Sequence, residues 1–339
     1  MSPPLTINFS LPSHLIAHEP SPTRDLSKLM HISPNTGNVL HTQFKNIADI
    51  LKPNDMLILN TSKVLHSRFF CTRKSEGKIE VTLVEKTSVG HWKAMIKKSK
   101  KLKKNEHLYI DQNLYFTVLE INTPFCVVKL PENISPESLM QEYGKAPLPP
   151  YIKRQADQSL AKRYQTVYAK QAGAIAAPTA GLHFTKDLLQ NCINKGIKIE
   201  TLTLHVGYGT FQSLNENHFK QNKLHTEHFY IDPDTANKLK AHKGRKIAVG
   251  TTVTRALESA YNGKIFNSGW QQTNIFIKPT DKIKTIDGMI TNFHLPNTSL
   301  LLLVASLTGI NLLQKAYQIA IEKEYRFYSF GDAMLILND

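Results

Sequence analysis

The sequence predicts an α/β protein: a barrel-like α/β domain interrupted by an inserted small antiparallel β-barrel. Three observations carry this reading. From residue 67 to 146, short strand-like runs follow one another with few helices between them, the texture of a small barrel. From 147 onward the rhythm becomes strand, loop, helix. In that second region the glycine-rich and polar signatures fall where a strand gives way to a helix, which in α/β sheets is the carboxyl edge where ligands bind. The domain limits that follow are 1–66 with 147–339 for the discontinuous α/β domain, and 67–146 for the insertion.

In chain order, Leu26–Met30 and Phe44–Leu51 are helix candidates, and the turn Pro53-Asn54-Asp55 leads into the strand Met56–Leu59. The barrel strands are expected at Ile79–Val84, Trp92–Ile96, His107–Ile110, Tyr115–Ile121 and Cys126–Leu130. Among them lies a lysine run, Lys93, Lys97, Lys98, Lys100, Lys101, Lys103 and Lys104, either a solvated loop or a phosphate-contacting edge. Gly173–Ala177 reads as a strand, and Lys186–Asn194 as a helix stopped by Gly196. Ile197–Val206 and Arg245–Val249 read as strands, and Thr251 or Thr252 can cap the helix that carries Arg255. Asn274–Ile277 and Met289–Thr291 are strands, the latter leading into the apolar segment Leu300–Leu307.

The formal charge of +15 stands out in an otherwise ordinary globular composition. It suits a polyanion, nucleic acid ahead of membrane headgroups, unless it is only a basic background. Cys71, Cys126 and Cys192 are too far apart to suggest a disulfide framework or a cysteine zinc site. The longest apolar run, Leu300–Ala305, is far short of the ~20 residues that span a bilayer. A cytoplasmic monomer with no membrane partner is expected.

Several groups can carry chemistry. His183 lies in an elbow, Ala176-Ala177-Pro178-Thr179-Ala180-Gly181-Leu182-His183-Phe184, more elaborate than a corner requires. His205 ends a strand, either as a core histidine or beside Gly207 and Gly209, where backbone can approach a ligand closely. His225-Thr226-Glu227-His228 invites a metal, but the i, i+4 histidines of a zinc helix are absent. Glu227 then reads as an acid, a base or a ribose-hydroxyl partner, and no metal is assigned. The helix start Gly250-Thr251-Thr252 is either a plain cap or an anion site, which Arg255 one turn later would complement. Asp332 follows a stretch of aromatics, Tyr325-Arg326-Phe327-Tyr328-Ser329-Phe330. That stretch, with Tyr151-Ile152-Lys153-Arg154 and Arg163-Tyr164, interleaves cations and aromatics as RNA-contacting surfaces do.

Together, Pro147-Leu148-Pro149-Pro150-Tyr151-Ile152, Tyr164-Gln165-Thr166-Val167-Tyr168, the His183 elbow, Leu204-His205-Val206-Gly207, Gly209-Thr210-Phe211, Val249-Gly250-Thr251-Thr252, Thr291-Asn292-Phe293-His294-Leu295-Pro296 and Gly331-Asp332-Ala333-Met334 resemble one family almost throughout. It is the S-adenosylmethionine:tRNA ribosyltransferase-isomerases of queuosine biosynthesis. The resemblance implies a catalytic α/β barrel-like domain with an inserted β-barrel. It implies transfer of the ribosyl part of S-adenosylmethionine to 7-aminomethyl-7-deazaguanine at the wobble position of tRNAs with G-U-N anticodons. S-adenosylmethionine is then a consumed co-substrate, and no cofactor is needed. Within the family motifs, His183, His205, Glu227 and Asp332 are the catalytic candidates. Thr179, Gly181, Gly207, Gly209, Thr251, Thr252, Arg255, Asn292 and His294 are the substrate-binding ones. Lys153, Arg154, Arg163, Tyr164, Tyr325 and Arg326 are the candidates for tRNA contact.

The sequence departs from the family pattern at Lys63, where an arginine is usual, at Glu76 in a Gly-Gly-Lys motif, at Lys278 and Thr280 in a Tyr-Pro-Gly motif, and at Asn297-Thr298. A lysine lacks the planar fork of an arginine, so a bidentate contact at position 63 is lost or changed. A tRNA-binding protein without catalysis and a metal-dependent hydrolase built on His225 and His228 are the rival readings.

Overall fold

In the computed structural model, which describes residues 7, 9–97, 99–152, 157–207, 209 and 214–338, the strand Met56–Asn60 is buried at every position. Its residues alternate, as strand geometry requires. Met56 and Ile58 enter one apolar core, and Leu57 and Leu59 enter another. Ile247, Ala248 and Val249 divide between the same two cores, as do Met289 and Ile290. A sheet buried on both faces is the signature of an α/β arrangement.

That sheet has nine strands in the order Gly269–Ile275, Lys223–Ile231, Lys198–Leu204, Met56–Asn60, Lys246–Val249, Gly288–Asn292, Ala333–Leu337, Lys28–Ser33 and Asn38–Gln43. The four strands from Lys198 to Asn292 in this order run parallel. Ala333–Leu337 runs against them and pairs Ala333 with Asn292. Asn60, Leu204, Val249, Asn292 and the start of Ala333–Leu337 therefore share one edge, as the strand-end argument anticipated. The barrel-like sheet has two edge strands, Asn38–Gln43 and Gly269–Ile275.

Helices cover both faces. Thr251–Ala260, Ser299–Thr308 and Ile310–Glu322 bury Leu257, Leu303 and Tyr317 in one core, and Lys186–Asn194 buries Leu188 and Cys192 in the other. Lys186–Asn194 starts where the Thr185 hydroxyl accepts the Leu188 N–H at 3.0 Å and stops before Gly196, whose φ is 79°. Among the described residues no single helix is long and apolar enough to cross a membrane.

By contacts the chain divides into two compact units, Met1–Lys63 with Arg163–Asp339, and Val64–Lys162. Residues 147–162 thus group with the insertion, beyond the expected limit at 146. The inserted unit is a closed antiparallel barrel of six strands, Phe125–Lys129, Trp92–Ile96, Lys78–Lys86, Arg68–Arg73, His107–Tyr109 and Tyr115–Asn122. Phe69, Val81, Phe116 and Val128 fill it, and the helix Pro136–Glu142 adds Leu139 and Met140.

Two sequence expectations are corrected. Leu26–Met30 is not a helix: Arg24–Leu26 makes a single 3-10 turn and Lys28–Ser33 is a strand. Leu29 faces one core while Met30 and Ile32 face the other, an alternation with period 2 that a helix cannot satisfy. Gly173–Ala177 is not a strand of the main sheet; the strand is Gln171–Ala174 and pairs separately.

At the amino edge of the sheet Asp55, 3% exposed, accepts Arg245 Nε at 2.9 Å, Arg245 Nη2 at 2.7 Å and the Lys52 N–H at 2.7 Å. The Asp55→Ala variant is expected to lose about 3 kcal/mol, because it strands a half-buried guanidinium. Urea unfolding should show this as a lower midpoint with an unchanged slope.

Candidate active site

Asn60, fully buried at the end of the central strand, stitches the carboxyl edge together. Its amide donates to the Leu204 carbonyl at 2.9 Å, while its Oδ1 accepts the N–H groups of Leu204 and Ser62, each at 3.0 Å. This turns the chain so that Ser62 Oγ meets His205 Nδ1 at 2.8 Å. The His205 ring is half-buried and stacks against Trp270 at 5.6 Å. Burial, then the charge of His228, lowers its pKa from the ordinary histidine value, so it is a neutral imidazole at pH 7.

Next along the edge, Glu227 and Arg255 form a buried ion pair through Oε2 and Nη1. Glu227 Oε1 accepts the Gly207 N–H at 2.9 Å and lies 3.3 Å from His225 Nε2. Burial pushes the Glu227 pKa up, but Arg255, His225 and the Gly207 N–H outweigh it and leave a value of about 2. Glu227 is therefore ionised and paired with Arg255. Gly207 gives its N–H to that carboxylate. Gly209 serves His225: a β-carbon there would lie 2.2 Å from the imidazole. Neither glycine thus needs a ligand to explain it. Arg255 itself is 3% exposed, and its Nε and Nη2 have no partner among the described residues.

The elbow Thr179–His183 is a 3-10 turn packed against the Gly288–Asn292 strand. Asn292 Nδ2 donates to His183 Nε2 at 3.1 Å, and the ring also hydrogen-bonds the Arg24 backbone. Burial, aided by the nearby Arg326 and Arg24 charges, drives the His183 pKa to about 3. His183 is thus a neutral residue that holds the loop. Asn292 Oδ1 is buried with no partner among the described residues. His294 meets Thr291 Oγ1 at 2.8 Å, and burial lowers its pKa to about 4. Thr179 is half-buried at the start of the turn. Gly181 is needed for packing, since a β-carbon would lie 2.0 Å from the Tyr168 hydroxyl. The cap of the Thr251–Ala260 helix is Gly250, with φ 100° and no side-chain hydrogen bond. Thr251 and Thr252 therefore do not cap it, and Thr252 Oγ1 lies 3.4 Å from Asn60 Nδ2.

Asp332 is structural in this arrangement. Its carboxylate accepts the Lys28 N–H at 2.9 Å and the Arg326 N–H at 2.8 Å, tying the last strand to the first. Burial raises its pKa against those contacts. Of the residues expected on RNA, Lys153 and Arg154 lie outside the described residues. Tyr164 and Tyr325 are buried against Phe330 and Phe293 and cannot stack on a base. Arg163 donates to the Ser21 and Pro22 carbonyls at 2.8 and 3.0 Å, latching the N-terminal segment. The Arg326 side chain is 34% exposed and can still reach a phosphate. Among the described residues no three His, Cys, Asp or Glu side chains gather as metal ligands.

The family described as "Queuosine biosynthesis protein" matches residues 6–336. The chain belongs to this family. Curated members include the S-adenosylmethionine:tRNA ribosyltransferase-isomerase of Halothermothrix orenii, 43% identical, with 97% of this chain and 98% of the relative aligned. That of Legionella pneumophila strain Corby is 44% identical, over 97% and 98%. A crystal structure of S-adenosylmethionine tRNA ribosyltransferase from Thermotoga maritima superposes with a TM-score of 0.56 at 30% identity, covering 98% and 99% of the two chains.

Within this queuosine biosynthesis family the departures fall outside the edge network. Lys63 is exposed, the Lys278 N–H caps onto Asp281 at 2.8 Å, and Asn297 turns a loop at φ 58°. Glu76 adopts φ 60°, a conformation that suits the glycine of the family pattern and costs another residue ~1 kcal/mol. Ser62, Asn60 and Trp270 escaped notice as site residues because their partners are remote in sequence.

The Glu227 pKa, lower in the folded chain than in the unfolded one, adds stability above about pH 4.5 that is lost as pH falls toward about 2. In Glu227→Gln this part of the acid dependence should vanish, so wild type and variant should converge in stability at low pH. Thermal melts from pH 7 to 2 check it; parallel curves would refute it.

Proposed function

We propose that this chain transfers the ribosyl part of S-adenosylmethionine to 7-aminomethyl-7-deazaguanine at the wobble position of tRNAs with G-U-N anticodons. The ribose is rearranged to an epoxycyclopentanediol, giving epoxyqueuosine tRNA, adenine and methionine. S-adenosylmethionine is consumed as co-substrate, and the protein acts as a cytoplasmic monomer without a cofactor. Full-length membership in the family and the names of the relatives support the reaction class. The +15 charge suits the tRNA backbone.

One observation at the site carries the reading. Arg255 is buried, is oriented by Glu227, and keeps Nε and Nη2 unpartnered among the described residues. Unsatisfied buried N–H groups on a charged side chain are costly, and a carboxylate satisfies them as a charge-assisted acceptor. The methionine end of S-adenosylmethionine supplies that carboxylate.

The reaction needs a base for the proton beside the sulfonium and a donor for departing adenine. His205 suits the base. It is neutral, half-buried, and oriented at Nδ1 by Ser62, whereas Glu227 is spent on Arg255, and His183 holds a loop. A neutral base also avoids repulsion of the sulfonium cation by an imidazolium.

Purified protein incubated with S-adenosylmethionine and precursor-bearing tRNA should release adenine only when both substrates are present. Retention of tRNA without adenine release would sink the reading in favour of a binding protein. His205→Ala should lower turnover by about 10²–10⁴-fold. With His205 as base, wild-type kcat/KM should fall on acidification through a pKa below the ordinary 6.5, because protonation removes the base. Arg255→Lys should raise KM for S-adenosylmethionine about tenfold or more, with a melt confirming the fold. An unchanged KM would remove Arg255 from the carboxylate.

A further inference from the structure

Trp270 stands on the edge strand Gly269–Ile275 and is 61% exposed, an unusual place for so large an apolar ring. Cross-strand register sets Tyr230 opposite Trp270 and His228 opposite Gln272. Trp270, Gln272 and His228 are exposed, while their neighbours Thr273, Glu227 and Phe229 are buried. The two strands therefore present one outward face, made of Trp270, Tyr230, His228 and Gln272. His205 adjoins it, since its N–H bonds the His228 carbonyl at 3.0 Å.

The rings on this face are ordered. Trp270 stacks on His205 at 5.6 Å with 29° between planes, and Tyr230 lies 5.4 Å from Trp270 at 47°. The remaining surface of Trp270 is open. Its surroundings are an amide and an imidazole, groups that hydrogen-bond base edges. An open aromatic face with polar neighbours in a chain of charge +15 is the chemistry of a base-stacking platform.

We infer that Trp270, flanked by Tyr230 and Gln272, stacks an unpaired nucleobase of the tRNA anticodon loop beside His205. This rests on the reading of the chain as a tRNA-modifying enzyme. The stacked base anchors the loop at the edge of the sheet, so the wobble nucleotide is delivered to the imidazole that removes the proton. Trp270 is thus a positioning residue for the RNA and makes no contact with the adenosyl group.

The test uses a fluorescein-labelled tRNA anticodon stem-loop as probe and anisotropy as readout. Trp270→Ala should weaken stem-loop binding about 5- to 150-fold, and Trp270→Phe should weaken it less. Affinity for S-adenosylmethionine, measured by calorimetry, should not change in either variant, and thermal melts establish that both are folded. The chain has two tryptophans, Trp92 and Trp270, so in Trp92→Phe the emission of Trp270 alone should be quenched by unlabelled stem-loop. Unchanged stem-loop affinity in Trp270→Ala, with wild type active in adenine release, would overturn this inference and leave the proposed function standing. Lost S-adenosylmethionine affinity with unchanged stem-loop binding would also overturn it, by assigning the ring to the adenosyl group. A wild-type protein that neither binds the stem-loop nor releases adenine would overturn both.

Discussion

The buried pair of Glu227 and Arg255 is the constraint around which the site is arranged. Removing two charges from water is expensive, and their mutual attraction offsets it only when the remaining polar groups are satisfied. On the carboxylate side they are: Glu227 takes the Gly207 N–H and sits beside His225. On the guanidinium side they are not, because Nε and Nη2 have no partner among the described residues. Among the described residues the pair is thus complete at one end and open at the other, which on the proposed function suits a donor set whose last acceptor arrives with the substrate. Arg255 can be so placed because the helix Thr251–Ala260 is anchored by Val253, Ala256, Leu257 and Ala260 in the core.

The same logic explains why the sheet edge is so heavily cross-linked. Asn60 bonds Leu204 and Ser62, Asn292 bonds His183, and Asp332 bonds Lys28 and Arg326. Strand ends are where backbone groups lose their ladder partners, and side-chain amides and carboxylates replace them. The result is a rim whose loops leave the sheet in fixed directions. Such a rim can hold His205 and Arg255 in place before any ligand binds, which lowers the ordering cost at the moment of binding.

Much of this was legible in the sequence, and what was not has physical reasons. The Met56, Lys246 and Gly288 strands showed themselves as short apolar runs, and their polar endings do lie along one edge of the sheet. Leu29-Met30 misled because a short apolar run fits helix and strand alike; only the presence of two cores decides. Lys223–Ile231 was hidden by its polar residues, of which Thr226 and His228 occupy exposed positions while Glu227 is buried. At the site, the residue types were visible but their states were not. Ser62 is 143 residues from His205 and Asn292 109 residues from His183, distances that no local pattern spans. Tyr164 and Tyr325 looked like RNA contacts because an aromatic beside a cation reads the same in a core as on a surface.

The histidines show how environment assigns roles that composition leaves equal. His183, His205 and His294 share one ordinary pKa, and all three are shifted down, with burial as the largest cause. His183 is buried between Asn292 and the Arg24 backbone, whereas His294 is half-buried and bonded to Thr291. His205 keeps one nitrogen on Ser62, and its ring stays half-buried. A base that works next to a sulfonium must be neutral before the reaction and basic enough to accept a proton during it. Deep burial secures the first property and destroys the second; full exposure does the reverse. On the proposed function, partial burial against Trp270 suits both, and the strand-end histidine rather than the elbow histidine is the one proposed for the proton transfer.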